Sequence, residues 1–265
     1  MTFMPVARWS SSGMMPSRVG SRCWTMTKAM PLPFGTWLGQ IFGWRATFWA
    51  VAAIGGLAFL AIALCVPRTT PEAPMKLRQL MLFLRPAPLR ALTMTALGYA
   101  GVFMVFTYIT ALLTEVADVP ANRVAAYLLL FGLGVFCGNL LGGRLADRWP
   151  RHSVPLALAG LVGGLLALWV GLAISVLAAP AMFLLGLLAF ATLAPLQARM
   201  MAQTPAGVDT LGATLNISAF NLGNAMGAWL GGLALSAGFG LSSLALLAAL
   251  LPLAALTLTF LPERP

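Results

Sequence analysis

Seven apolar runs, each charge-free and close to the roughly 20 residues that a helix needs to cross a bilayer, recur along this chain at about 46–66, 91–113, 124–142, 154–174, 180–197, 211–235 and 241–261. Backbone polar groups in lipid can be satisfied only within helices or closed barrels. Runs of this length without strict alternation are helices, so the expected fold class is an all-α polytopic membrane protein of about seven transmembrane helices. Composition agrees, with 60% hydrophobic and 8% charged residues in 265, far from the roughly 45–50% and 25% of a soluble domain.

The formal net charge of +10 does not indicate nucleic acid. Such binding needs basic residues clustered on a soluble face among base-reading side chains, and here they sit between apolar runs. Their placement reports sidedness instead. Arg68, Lys76, Arg78, Arg85, Arg90, Arg144, Arg148, Arg151, Arg199 and Arg264 fall on one side of the spans, against Arg45 and Arg123 on the other. The 67–90, 143–153 and 198–210 loops and the C-terminus are therefore expected to be cytoplasmic, in a multi-pass protein of the inner (cytoplasmic) membrane. Residues 1–30 fit neither a signal peptide nor a span and are expected to be an atypical non-membrane leader. Cys23, Cys65 and Cys137 lack metal-type spacing and read as small hydrophobes. In the 67–90 loop, Leu77, Leu80, Met81 and Leu84 at helical spacing fit an amphipathic helix on the inner leaflet; a solvated linker fits equally well.

A distant internal echo bears on architecture. Gly35-Thr36-Trp37-Leu38-Gly39-Gln40 is repeated as Gly227-Ala228-Trp229-Leu230-Gly231-Gly232, and each copy is followed by an apolar helix that ends at a proline, Pro67 or Pro262. Six helices lie in that interval. A parallel duplication of a six-helix unit is one way in which transporters are built. On that reading 31–66 is the end of a fifth helix and the sixth, 67–90 joins the halves, and 91–265 is a second half with helices seven to twelve. The chain is then expected to be N-terminally truncated, its first half a missing partner.

The turn Gly143-Arg144-Leu145-Ala146-Asp147-Arg148-Trp149-Pro150-Arg151-His152 is so short that its flanking helices must be antiparallel neighbours. It resembles the G-x-L-A-D-R-x-G-R-[RK] loop of the major facilitator superfamily in its second-half copy, departing at Pro150 and His152. PFGTWLGQIFGWRATFW (33–49) and NISAFNLGNAMGAWLGG (216–232) are similar to the same superfamily, closest to arabinose-efflux-permease-like members and the drug:proton antiporters. The resemblance covers about residue 31 to the end. It implies secondary active transport of small solutes by alternating access, here efflux of sugars or drug-like compounds. It also implies a gating loop of Gly143, Asp147, Arg148 and Arg151, with Asp147 paired to arginine side chains. A topogenic, solvated turn is the competing reading.

Two glycine stripes, Gly134/Gly138/Gly142 and Gly223/Gly227/Gly231, mark surfaces where helices approach closely; the resemblance implies that both face the other half. Asn216 and Asn224 share the second stripe's face, where cavity contact and interhelical hydrogen bonding are equal alternatives. Tyr99, Phe103, Phe106 and Thr110 share one face, and Phe183, Phe190 and Gln197 another. The resemblance makes Tyr99, Phe103, Phe106, Phe190, Gln197, Asn216 and Asn224 the candidate substrate path, although aromatic stripes also serve packing. No Asp, Glu, Lys, Arg or His lies near the middle of a run, so proton coupling would need a group in the first half. One His and six carboxylates, mostly in loops, offer no converging acid–base set, so an enzyme is not expected, nor a cofactor or metal. The alternative function is an inactive half-transporter.

Overall fold

The computed structural model describes residues 43–65 and 80–261. The expected leader, the first copy of the Gly-Thr-Trp-Leu-Gly phrase, most of the 67–90 loop, Pro262 and Arg264 lie outside them. Among the described residues every regular element is helical: α1 Trp44–Cys65, α2 Pro86–Phe106, α3 Val124–Arg148, α4 Ser153–Ala173, α5 Ser175–Phe190, α6 Leu193–Gln203, α7 Asp209–Ser236 and α8 Leu244–Thr259. Met81–Leu84 is a short 3₁₀ turn leading to Pro86, whose fixed φ and missing N–H suit a helix start.

Six stretches among the described residues are long and apolar enough to cross a membrane: 48–65, 86–106, 121–148, 153–173, 175–203 and 241–259. The seventh expected span, α7, has the length at 28 residues but is too polar to stand with them. Three of its polar side chains are nevertheless satisfied locally. Thr214 and Ser218 each donate a hydroxyl to the carbonyl four residues earlier, at 2.8 and 3.0 Å, and the Asn221 amide does the same at 3.0 Å. Such back-bonding hides polar atoms without a partner helix.

Two expected runs are broken. The 91–113 run begins earlier, at Pro86, and is interrupted at Thr107–Tyr108, after which a π-turn covers Leu112–Val116. The 180–197 run divides into α5 and α6 around Ala191–Thr192. The cause lies in Pro195, which cannot offer an N–H to the Ala191 carbonyl. Thr192 closes the turn by donating its hydroxyl to Ala189 O at 2.6 Å.

The helices α2 to α8 form a bundle in which α2 packs on α7 and α8, α3 on α5, and α4 on α5 and α8, while α6 touches α2, α3 and α7. Leu161, Leu165, Leu168 and Leu172 of α4 meet Met182 and Leu185 of α5 and Leu244 to Ala249 of α8 in the largest buried cluster. A smaller one joins Met94 and Tyr99 of α2 to Leu158 of α4, Leu196 of α6 and Ala255 of α8. No side chain described on α1 is buried; Trp49 is 76% and Leu64 84% exposed.

Candidate functional site

The glycine stripes do not point away from the bundle as expected. They are buried inside it, and each lies on a row of backbone carbonyls. A Cβ on Gly134 or Gly138 would collide with the carbonyls of Phe183 or Leu187 on α5, and one on Gly142 would sit 2.6 Å from Ala191 O. On the other helix pair, Gly223 and Gly227 meet Ala96 O and Ala100 O of α2, and a Cβ on Gly231 would lie 2.7 Å from the Tyr108 ring. Both rows advance four residues at a time, so the helices run side by side with backbones in contact. In lipid, where apolar burial drives little association, such close packing and its Cα–H···O contacts hold helices together. The faces left outward are different ones, carrying Leu133, Phe136 and Leu140 on α3 and Leu222 and Trp229 on α7, all more than half exposed.

Where α2, α6 and α7 converge, a chamber of about 200 Å³ is lined by Thr95, Tyr99, Leu193, Leu196, Gln197, Asn216, Ile217 and Phe220. Thr95 donates its hydroxyl to Asn216 Oδ1 at 2.8 Å, and Asn216 Nδ2 donates to Gln197 Oε1 at 2.5 Å. One amide thus ties three helices. Leu193 and Ile217, 38% and 59% exposed, border the mouth. Asn216 lies seven residues into α7 and Thr95 nine into α2, about 10–14 Å along each axis. This places the chamber in the half of the bundle that holds the Trp149–His152 turn.

The Tyr99 side chain is 1% exposed and its hydroxyl is buried. Thr192, the polar side chain beside it, gives its own hydroxyl to Ala189 O. The Tyr99 ring packs on Phe220 at 4.0 Å between centroids. From there a ladder of rings continues through Phe103, Phe106 and Phe131 to Phe190, with centroid spacings of 6.4, 5.8, 4.9 and 6.4 Å.

The structure therefore brings Tyr99, Gln197 and Asn216 into one chamber and connects Phe103, Phe106 and Phe190 to it through rings. Asn224 is not part of the chamber; its Oδ1 is buried without a partner among the described residues. Thr110 is exposed and takes no part. Thr95 and Phe131 escaped the sequence reading, and Phe220 stood out there only as the residue midway between Asn216 and Asn224. Thr95 stands one helical turn before Tyr99 on the same face and could have been found by extending that stripe. Phe131 stands three residues before Gly134, and nothing in its own neighbourhood marks it.

At the turn, α3 runs to Arg148, and Trp149 N–H still bonds to Leu145 O at 3.1 Å. Ser153 then starts α4, donating its backbone N–H to Trp149 O at 2.8 Å and its hydroxyl to Pro150 O at 3.0 Å. Pro150 thus takes its place in an ordered four-residue reversal. Asp147, Arg148 and Arg151 are exposed. The expected pairing of Asp147 with arginine is not formed among the described residues, because at the end of α3 these side chains project into open space. Glu115 and Asp118 are likewise exposed, and the described residues contain no group of His, Cys, Asp and Glu able to hold a metal ion.

Residues 23–215 match the Major Facilitator Superfamily. The chain belongs to that superfamily. Within it, the chain is 37% identical over 247 residues to the inner membrane transport protein YdhP of Escherichia coli K12, covering 91% of this chain and 62% of that protein. It is 34% identical over 248 residues to the putative transporter AraJ of the same organism, covering 91% and 61%. A chloramphenicol resistance protein of Streptomyces lividans is 31% identical over 242 residues, covering 85% and 60%. The chain spans about three fifths of the length of these superfamily members.

Proposed function

We propose that this protein is a secondary active transporter of the inner membrane that exports small, sugar-like or drug-like solutes by alternating access, and that the chamber between α2, α6 and α7 contacts the solute. The chamber carries the reading. It is concave and mostly apolar with a few converging polar groups, the usual make-up of a small-molecule site, and it sits in a superfamily whose members move solutes. The names of the relatives, an inner membrane transport protein and a chloramphenicol resistance protein, favour transport over an inactive half.

In this scheme 31–66 ends a first six-helix half, 67–90 is the cytoplasmic connection, and 91–265 is the second half, with the C-terminus in the cytoplasm. The outward faces of α3 and α7, rather than the glycine stripes, meet the first half. Gly143, Asp147, Arg148 and Arg151 form a gating loop whose ion pairs exist in only one state of the cycle. Their unpaired, exposed positions here fit a state in which the loop is released.

Cells expressing the protein are expected to accumulate less radiolabelled chloramphenicol or arabinose than vector controls. Asp147→Asn is expected to restore accumulation to near the control level while leaving the amount of protein in the membrane unchanged. Equal accumulation with and without the protein for both solutes would overturn the reading.

A further inference from the structure

We infer that the turn leading into α2 is a foot that seats on anionic phospholipid, with Met81 and Leu84 entering the acyl boundary and Arg85 taking the headgroup phosphate. This surface is separate from the chamber and does not depend on what the chamber binds.

One residue fixes the foot to the bundle. Phe83 is 2% exposed and packs with Ala91 of α2, Met200 of α6 and Leu211 of α7. That contact holds the Met81–Leu84 turn against three helices and decides which way its other side chains face. Residues three apart eclipse one another in a 3₁₀ turn, so Met81 and Leu84 stack in one ridge that does not share the Phe83 side. They are 63% and 64% exposed, and Leu80 and Leu89, to either side in the chain, 40% and 46%.

The level of the ridge narrows what can cover it. α2 and α7 begin at this end of the bundle and α6 ends there, so the ridge lies where helices leave the bilayer. In water these leucine and methionine side chains would keep their apolar surface hydrated at a free-energy cost. Sunk about 5–10 Å into the boundary between headgroups and acyl chains, as interfacial segments are, they are covered while the backbone beside them stays near water.

Charge names the lipid. Of the two arginines around the start of α2, Arg90 is engaged, donating Nη1–H to Leu261 O at the end of α8 at 2.8 Å. Arg85 is exposed and has no hydrogen-bond or ion-pair partner among the described residues. No Asp or Glu occurs between Lys76 and Arg90. Asp209, next to Val208 of the Phe83 cluster, is exposed and makes no ion pair with Arg85. An unbalanced guanidinium directly beside an apolar ridge complements a leaflet that carries anionic headgroups, and its planar fork of donors suits phosphate. A zwitterionic lipid offers the same phosphate next to a cation that repels Arg85.

The test places one environment-sensitive fluorophore on Met81→Cys, in the full chain with Cys23, Cys65 and Cys137 replaced by serine, reconstituted in nanodiscs of phosphatidylcholine and phosphatidylglycerol. A second label on Ala206→Cys, exposed in the α6–α7 connection, reports open water at the same end of the bundle. The Met81 label is expected to be at least about threefold less quenched by iodide than the Ala206 label, and to be quenched by lipids brominated on their acyl chains. Brominated phosphatidylglycerol should reach half-quenching at a mole fraction about fivefold lower than brominated phosphatidylcholine, the factor that one basic residue near an anionic surface contributes. Arg85→Gln should remove that difference and leave the shielding from iodide intact. Iodide access equal to that at Ala206 would show a solvated turn, and shielding from both iodide and brominated lipid would show a protein cover; either overturns the foot. Equal quenching by the two brominated lipids, or a preference unchanged by Arg85→Gln, would overturn the recognition of anionic lipid by Arg85.

Discussion

Asn216 shows how one amide can hold three helices together. Buried at 4% exposure, it accepts from Thr95 and donates to Gln197, so its two ends hold α2 and α6 against α7. Interhelical hydrogen bonds of this kind contribute about 0.6 kcal/mol on average and up to about 1.7 in membranes. A double-mutant cycle of Thr95→Val and Asn216→Ala, read by unfolding in mixed micelles, should give a coupling within that range and the same sign. Zero coupling would mean that the two side chains only happen to lie together. In sequence, Asn216 and Asn224 looked equivalent, spaced to share a face. They differ because α6 passes beside the first, bringing Gln197 to it, and a contact between residues on separate helices cannot be read from spacing along one of them.

Among elements, the two glycine-bearing helices dominate. The periodicity of Gly134/Gly138/Gly142 and Gly223/Gly227/Gly231 made close helix approach legible at once, since only a missing Cβ leaves a backbone open at every turn. The identity of the approaching helix was not legible. A glycine stripe carries no complementary mark, and the matching rows on α5 and α2 are carbonyls, which every residue has. Gly138→Leu and Gly227→Leu should therefore each destabilise the bundle by about 1–3 kcal/mol or more through overpacking. Gly163→Ala, at a position where a Cβ would meet nothing within 4 Å, should be neutral or slightly stabilising through helix propensity. Thermal unfolding in detergent distinguishes them, and tolerance of Gly138→Leu would argue against the observed α3/α5 contact. Proline supports the same geometry at two places. Pro195 and Pro252 leave the Ala191 and Ala248 carbonyls without helical N–H partners, and these carbonyls face Gly142 and Gly101, where a Cβ would stand 2.6 and 2.7 Å away. The freed acceptors are thus covered by glycine Cα–H groups rather than exposed to lipid.

For the whole molecule, the bundle end with the Trp149–His152 turn and the α6–α7 connection is the end that the distribution of Lys and Arg assigns to the cytoplasm. Impermeant maleimide should label Trp149→Cys from the cytoplasmic face alone and Phe239→Cys from the opposite face alone, in a background with Cys23, Cys65 and Cys137 replaced by serine. Both positions are exposed, at 53% each, so access is governed by side of the membrane. The reverse pattern would invert the proposed topology and move the gating loop outside.

Helical class, the approximate positions of most of the long spans and the stripes of small residues were available in one dimension, because lipid demands long apolar stretches and helical periodicity aligns every fourth residue. The same logic found Tyr99, Gln197 and Asn216 as separate candidates on separate runs. Their meeting in a chamber, the Thr95 hydroxyl that completes the network, the Phe220 and Phe131 rings that link the aromatic faces, and the inward turn of both glycine stripes depend on which helices are neighbours and how each is rotated. That arrangement is set by backbone contact and side-chain fit across the whole bundle, a sum over many small interactions that no single stretch of the chain contains.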